Sequence, residues 1–262
     1  MERLGEALAR MGDGPDGVLL SPGMLRHAQS YFGRRGAPIA IARLNFNSVF
    51  CFKWDYRKSV IANLYQPEDA LACGAECLLA CLTLKTNSEA VDARNAEIFA
   101  SLCVKAHRLG LPIIGEYFPH SHLEKDAESF HEETLIGCRM LAELGADAIK
   151  TFYTIRFAEI ADACPIPILG LGAEKTATDL QALQLAERQI RDGAGGVVFG
   201  RNALQASNPK AFVAALADVV KAGMPARQAA ERHGLKGPDG GGIPLRDSRV
   251  DDQRTSEPVR RL

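Results

Sequence analysis

Lys150 interrupts an apolar run. In GADAIKTFYTIRF (residues 145–157) it sits within a segment that otherwise reads as a buried strand. A lysine directed into a protein interior must lose its charge, find a partner or react. Burial disfavours an ammonium, and a neutral amine in a cavity is a nucleophile towards carbonyls that can form a Schiff base. The bland reading is a lysine whose stem lies on apolar surface while its head reaches water or a carboxylate. Position alone does not separate the two. Strand alternation puts Lys150 on the face of Ala148 and Phe152, opposite Ile149 and Thr151.

Two downstream segments bear on that choice. PILGLGAEKTATD (167–179) carries Gly170, Gly172 and then Lys175 at the mouth of a helix, and GVVFGRNALQ (196–205) carries Gly200, Arg201 and Asn202. Glycines permit close backbone approach, and helix N-terminal amides favour anions. After a lysine-bearing strand, the pair points to a phosphorylated carbonyl substrate. In GEYFPHS (115–121) Glu116 shares a face with Phe118 and opposes Tyr117, so it could serve as acid or base in a cavity, or form an ion pair at the strand end. RLNFNS (43–48) supplies Arg43, Asn45 and Asn47, and His120 is a candidate phosphate or substrate contact. His107, His120, His122 and His131 lack metal-ligand spacing on separate strand ends, so no metal and no cofactor are expected. The seven cysteines sit mostly in apolar segments. Cys73, Cys77 and Cys81 recur every fourth residue, but LACGAECLLACLTL passes from a helix end into a strand and breaks any common face. Reduced core thiols are the expected state.

These residues need a scaffold that gathers strand ends. Short β-rich runs at 17–20, 38–44, 76–82, 112–118, 147–152, 166–171 and 196–200 alternate with helical patterns such as SEAVDARNAEIFASLCVKAHRLG, stopped by Gly110, and AESFHEETLIGCRMLAELG, stopped by Gly145. TATDLQALQLAERQIRDG has an N-cap threonine, Thr176 or Thr178, and ends at Gly193. The alternation predicts a parallel sheet with right-handed crossovers, at the spacing of a (β/α)8 TIM barrel, whose active site lies at the carboxyl ends of the strands. No G-x-G-x-x-G follows the first strand, which weighs against a dinucleotide fold. Seven strands are recognisable where a barrel has eight, and the chain opens on the amphipathic helix MERLGEALARMGDG, so the first strand is expected to be absent. The gap at 17–20 and 196–200 should then be filled by that helix, a partner subunit, or residues outside this start. Residues 1–234 are assigned to the barrel and 235–262, rich in Gly, Pro and charge, to a disordered tail. NFNSVFCFKWDYRKS (45–59) reads as a long loop over the barrel mouth, a lid or a subunit contact. A net charge of −1 over 262 residues gives no support for nucleic acid or an anionic membrane as partner. No apolar run reaches about 18 residues, no signal-peptide core opens the chain, and a cytoplasmic homo-oligomer is expected.

GADAIKTFYT, IPILGLGAEKTATD and GAGGVVFGRNALQ resemble the corresponding strands of the DhnA-type (archaeal-type) class I fructose-bisphosphate aldolases, among the DeoC/aldolase-like TIM barrels. That family also contains aminodideoxyheptulosonate synthases and an autoinducer-degrading enzyme. The similarity runs from about Asp16 to about Val220 and is strongest from Gly145 to Gln205. The resemblance implies that Lys150 is the Schiff-base lysine, that Gly172, Lys175, Gly200 and Arg201 bind phosphate, and that Asn45 binds substrate hydroxyls. The chain departs from the family pattern in three places. The family's first strand ends in an Asp-His-Gly motif whose aspartate serves catalysis, and nothing before Gly17 supplies it. A tyrosine that ends strand five as proton donor is replaced by Phe118. The paired glycines of the phosphate loop are Gly172-Ala173 here, preceded by Leu171. These changes argue against fructose bisphosphate as substrate. The expected function is a Schiff-base class I aldolase acting on a phosphorylated sugar or keto-sugar, with Lys150 as nucleophile and Glu116 moving protons. The alternative is a non-catalytic phosphometabolite-binding barrel that has lost its N-terminal catalytic strand.

Overall fold

The computed structural model describes residues 4–12, 14–50, 56, 58–120 and 126–235. Among them strands and helices alternate: α1 (Leu4–Met11), β1 (Gly17–Leu20), α2 (Pro22–His27), α3 (Gln29–Phe32), β2 (Ile39–Arg43), β3 (Asn45–Asn47), β4 (Ile61–Asn63), α4 (Pro67–Ala72), β5 (Cys77–Leu82), α5 (Glu89–Arg108), β6 (Ile113–Tyr117), α6 (Ala127–Glu143), β7 (Ala148–Thr151), α7 (Phe157–Ala163), β8 (Ile168–Leu171), α8 (Asp179–Arg191), β9 (Gly196–Val198), α9 (Arg201–Leu204), α10 (Pro209–Ala222) and α11 (Ala226–Arg232). Seven strands form one parallel sheet in the order β1-β2-β5-β6-β7-β8-β9. They are the seven expected from the sequence, and they curl into a partial TIM barrel with β1 and β9 as its edges.

The helix boundaries follow from local chemistry. Ser88 caps α5 by accepting from the Val91 amide, and Asp126 caps α6 by accepting from the Glu128 and Ser129 amides. Thr178 and Gln181 form a reciprocal capping box on α8. Past the ends of these three helices Gly110, Gly145 and Gly193 have φ of 71°, 100° and 99°, the left-handed region where a side chain is strained. Both faces of β5 are buried along its whole length, as a central parallel strand between helices and barrel interior requires.

The principal core packs Leu78, Leu82, Ile113, Tyr117 and Ile149 of the sheet against Phe99, Leu102, Leu141 and Phe157 of α5, α6 and α7. A second core closes the seam between the edge strands. Leu8 and Met11 of α1 join Val18 of β1 to Ala203 of α9 and Phe212 and Val213 of α10. The N-terminal helix thus occupies one side of the gap, the first of the three fillers anticipated. Tyr31 Oη donates to the Gly12 carbonyl at 3.2 Å, and a Cβ on Gly14 would stand 2.7 Å from Val213.

One expectation needs correction. The stretch from residue 45 to 59 was read as a single loop, but β3 pairs antiparallel with β4 through Asn45↔Asn63 and Asn47↔Ile61. The Leu44 carbonyl accepts from the amides of Leu64 and Tyr65, which anchors the small hairpin beside the main sheet. Residues 51–55, with Trp54, lie outside the described residues, as does all of the 235–262 tail except Leu235, which is buried in the second core.

Candidate active site

Parallel register sets Glu116 on β6 directly beside Lys150 on β7, and Cys81 on β5 beside Glu116. Neighbouring residues at one level of a sheet point to the same face. The face opposite Lys150 is apolar: Ile149 is fully buried in the principal core. Lys150 therefore enters the barrel interior, where Nζ donates to Glu116 Oε1. Arg43, from the end of β2, reaches past β5 and places Nη1 2.6 Å from Glu116 Oε2. One carboxylate thus bridges two cations, and the three groups come from three strands.

All three groups are held away from water to different degrees. The side chains of Glu116 and Lys150 retain 4% and 8% exposure, and Arg43 retains 24%, so the guanidinium is the charge nearest the mouth. Burial by itself would raise the Glu116 carboxyl. The Lys150 ammonium and the Arg43 guanidinium outweigh it and hold the group down at about 2. The two alternatives for Lys150 have merged: it does reach a carboxylate, and that carboxylate is the candidate base.

Aromatic rings cover the charges. Phe118 packs edge-on against Phe50 and Phe152, with centroids 5.4 and 5.2 Å apart, and the Arg43 guanidinium lies 4.9 Å from the Phe50 ring centre. Tyr117 points the other way. It lies against Gly137 of α6, where a Cβ would come within 2.0 Å of its ring, and its hydroxyl donates to Glu133 at 3.4 Å. Cys81 is no competing nucleophile, because burial, then the Glu116 charge, pushes its thiol up to about 12.

The segments after β8 and β9 lie side by side, since β7, β8 and β9 are consecutive neighbours. Asn202 joins them. Its side chain donates to the carbonyls of Gly172 and Glu174 at 2.8 and 2.9 Å and accepts from the Thr176 amide at 2.9 Å. Gly172 is required by contact: a Cβ there would sit 2.7 Å from the Phe199 ring. Ala173 adopts φ 46°, so the backbone keeps a left-handed turn although the residue carries a side chain. Lys175 pairs with Asp179 at 2.9 Å. Gly200 precedes the short helix α9 with open space where a Cβ would be, and Arg201 stands half exposed, 3.8 Å from Glu174.

Two predicted site residues have other partners. Asn45 donates to the Cys81 carbonyl at 2.8 Å and accepts from the Cys81 amide at 2.7 Å, so its side chain extends the sheet ladder beyond Arg43. The His120 amide donates to Glu133, and its ring Nδ1 lies 3.1 Å from Ser59 Oγ.

Residues 1–206 match the family described as DeoC/LacD family aldolase. The chain belongs to this family. An uncharacterized aldolase of Saccharolobus solfataricus is 30% identical over 222 residues, 82% of this chain and 81% of that one. A 2-amino-3,7-dideoxy-D-threo-hept-6-ulosonate synthase of Archaeoglobus fulgidus is 28% identical over 64% of this chain and 61% of its own. Among solved structures, an archaeal fructose-1,6-bisphosphate aldolase with its catalytic lysine covalently bound to a carbinolamine intermediate superposes with a TM-score of 0.67 at 26% identity, over 81% of both chains. A second archaeal fructose 1,6-bisphosphate aldolase gives 0.68 at 25% identity, over 82% of both. The family, fold and Schiff-base chemistry of these relatives agree with the sequence reading, and none of their names favours the non-catalytic alternative.

Arg43 and Asn202 were visible in the sequence only as residues at strand ends. Neither was assigned a role, because nothing local says that Arg43 crosses β5 or that Asn202 spans two loops.

Proposed function

We propose that this chain is a Schiff-base-forming class I aldolase that cleaves a phosphorylated sugar or keto-sugar, with Lys150 as the nucleophile. The observation that carries the reading is the buried Lys150–Glu116 pair at the interior of the barrel, beside the loops that follow β8 and β9. Lys150 gives a proton to Glu116 and attacks the substrate carbonyl. Loss of water leaves an iminium whose positive charge draws electrons from the adjacent carbon–carbon bond as it breaks. Glu116 is the group placed to carry protons among Nζ, the carbinolamine oxygen and the departing aldehyde. Gly172, Lys175, Gly200 and Arg201 are assigned to the phosphate: the glycines leave the backbone accessible, and the two cations stand at helix N-termini. His120 is a more distant candidate for the same substrate.

Among the described residues no helix is long and apolar enough to cross a membrane. A cytoplasmic location and a homo-oligomer, its subunits meeting at the open barrel edges, complete the reading; light scattering of the purified chain tests the second.

The central test is borohydride reduction in the presence of phosphorylated carbonyl compounds, followed by mass spectrometry of the Lys150 peptide. A stable secondary amine at Lys150 is expected. Lys150→Ala and Lys150→Arg should both fail to trap, the second because a guanidinium stays protonated. Turnover by Lys150→Ala would end the proposal.

A further inference from the structure

Within the Schiff-base reading, the resting site poses a difficulty. Glu116 has to take a proton from Lys150, yet two cations stabilise its ionised form and hold it at about 2. Among the described residues the titratable or charged groups around Glu116 are Lys150 on β7, Arg43 on β2 and the neutral Cys81 thiol on β5. Lys150 is the proton donor, so Arg43 is the cation whose removal would make Glu116 a competent base.

The Arg43 contact is built to exchange. Nη1 and Glu116 Oε2 form a single short ionic contact of 2.6 Å, and among the described residues neither buried atom has a further hydrogen-bond partner. Among the described residues the guanidinium also lies against the face of Phe50. A planar fork of donors meets a carboxylate best in two parallel hydrogen bonds, and Glu116, tethered to Lys150 through Oε1, does not supply that geometry.

We propose that Arg43 is the specificity-determining residue of the site and binds a carboxylate attached directly to the reacting carbonyl carbon, so that the substrate is a 2-oxo acid or its aldol adduct. The Glu116 carboxylate is itself the template. It bridges Nη1 of Arg43 and Nζ of Lys150, and a 2-oxo acid covers a similar span with its carboxylate on the guanidinium and its carbonyl carbon at the amine. Among the described residues the Phe50 ring, packed on Phe118, faces the guanidinium and offers no hydrogen bond to a hydroxyl, which suits a carboxylate paired with Arg43 better than a hydroxymethyl group. The loops after β8 and β9 lie on the other flank of β7, leaving the phosphate for the far end of the substrate.

Substrate binding then activates the nucleophile. Arg43 turns to the incoming carboxylate and releases Oε2. Glu116 takes a proton from Lys150, and the nitrogen lone pair forms a C–N bond to C2 while the C=O π pair moves to oxygen, which takes that proton from Glu116. The nitrogen then gives a second proton to Glu116, which passes it to the hydroxyl; the C–O bond breaks, water leaves and the nitrogen lone pair closes the iminium. In cleavage the C3–C4 electron pair moves into the iminium to give an enamine, and the C4 hydroxyl gives its proton to the Glu116 carboxylate as the aldehyde departs.

The test compares borohydride trapping by pyruvate, hydroxyacetone and dihydroxyacetone phosphate in wild type, Arg43→Gln and Arg43→Lys. Wild type should trap pyruvate at least about tenfold faster than hydroxyacetone, which is the same ketone with a hydroxymethyl group in place of the carboxylate. In Arg43→Gln pyruvate trapping should fall by about tenfold or more, and the ratio of pyruvate to hydroxyacetone trapping should collapse towards one. Arg43→Lys should restore only part of the preference. A merely structural Arg43 would slow both ketones together, and that result overturns the proposal. So does wild type trapping hydroxyacetone as fast as pyruvate, a comparison that needs no variant to fold. If dihydroxyacetone phosphate is trapped and pyruvate is not, the Schiff-base reading stands and the role of Arg43 falls. If none of the three is trapped, both fall.

Discussion

The Lys150 pocket and the Asn202 loops sit side by side at the same end of the barrel and are built on opposite principles. The pocket holds three charges with few partners among the described residues: Lys150 donates to Glu116, and Glu116 meets Arg43 through one short contact. The loops hold a neutral side chain whose donors and acceptor are all used, since Asn202 fixes two carbonyls and an amide. A buried ion cluster is poised to rearrange, because moving one charge changes the protonation of the others. A satisfied amide network keeps its shape. The first arrangement suits proton transfer and the second suits holding an anion against backbone.

Glu116→Gln breaks that contrast most severely. It leaves two buried cations facing each other without their carboxylate, and loss of one member of a buried pair destabilises by about 3–5 kcal/mol. Thermal or urea unfolding should show that loss, and trapping at Lys150 should slow by about 10²–10⁴ if Glu116 is the base. Unchanged trapping would move the proton role to another group. Lys150→Met, which leaves Glu116 with Arg43, should cost far less stability while abolishing trapping, so the two variants separate folding from chemistry.

Acid should act on the pocket through the same carboxylate. Glu116 ordinarily titrates near 4.5 and is held at about 2 in the fold. A depressed carboxyl binds more protons unfolded than folded, so its contribution is fully present above the unfolded value and is lost as pH falls from about 4.5 towards about 2. Unfolding free energy followed over that window should fall less steeply in Glu116→Gln than in wild type, and parallel curves would show that the pair contributes nothing to acid lability.

Asn202→Ala tests the second region and should do less. It leaves the Thr176 amide and two loop carbonyls without their partner, a loss of about 1–3 kcal/mol. If the loops hold phosphate, KM for a phosphorylated substrate should rise while trapping of the unphosphorylated hydroxyacetone is unchanged. A uniform fall for both would make Asn202 a structural residue only.

The fold was legible because parallel strands and their helices carry strong local patterns, from the caps at Ser88, Asp126 and Thr178 to the stops at Gly110, Gly145 and Gly193. The facing of Lys150 and Glu116 also followed from strand parity. The parts that escaped depend on register or distance. Arg43 reaches Glu116 because β2 pairs β5 at Arg43↔Leu79 and β5 pairs β6 at Cys81↔Glu116, a relation between chains of contacts and not between neighbours in sequence. The β3–β4 hairpin escaped because three-residue strands across a long connection carry almost no periodicity. Asn45 looked like a free polar group at a strand end, when its amide mimics a strand by pairing with the Cys81 backbone.

The smallest expected effect lies at Ala173. Its φ of 46° is a conformation in which Cβ crowds the following carbonyl, at a cost of roughly 1–2 kcal/mol for a residue other than glycine. Ala173→Gly removes that strain but gives the unfolded chain more freedom to lose, which offsets about 0.5–1 kcal/mol of it. The net should be a stabilisation of a few tenths to about 1 kcal/mol, read from the urea midpoint at unchanged m-value. The turn is kept in its present shape by the Asn202 bond to the neighbouring Gly172 carbonyl, so the gain should survive in an Asn202→Ala background only if the left-handed turn persists there. A gain equal in both backgrounds would show that the turn holds itself. A gain confined to the wild-type background would show that Asn202 imposes the strain, and that the loop's shape, not its sequence, is what the Asn202 network maintains.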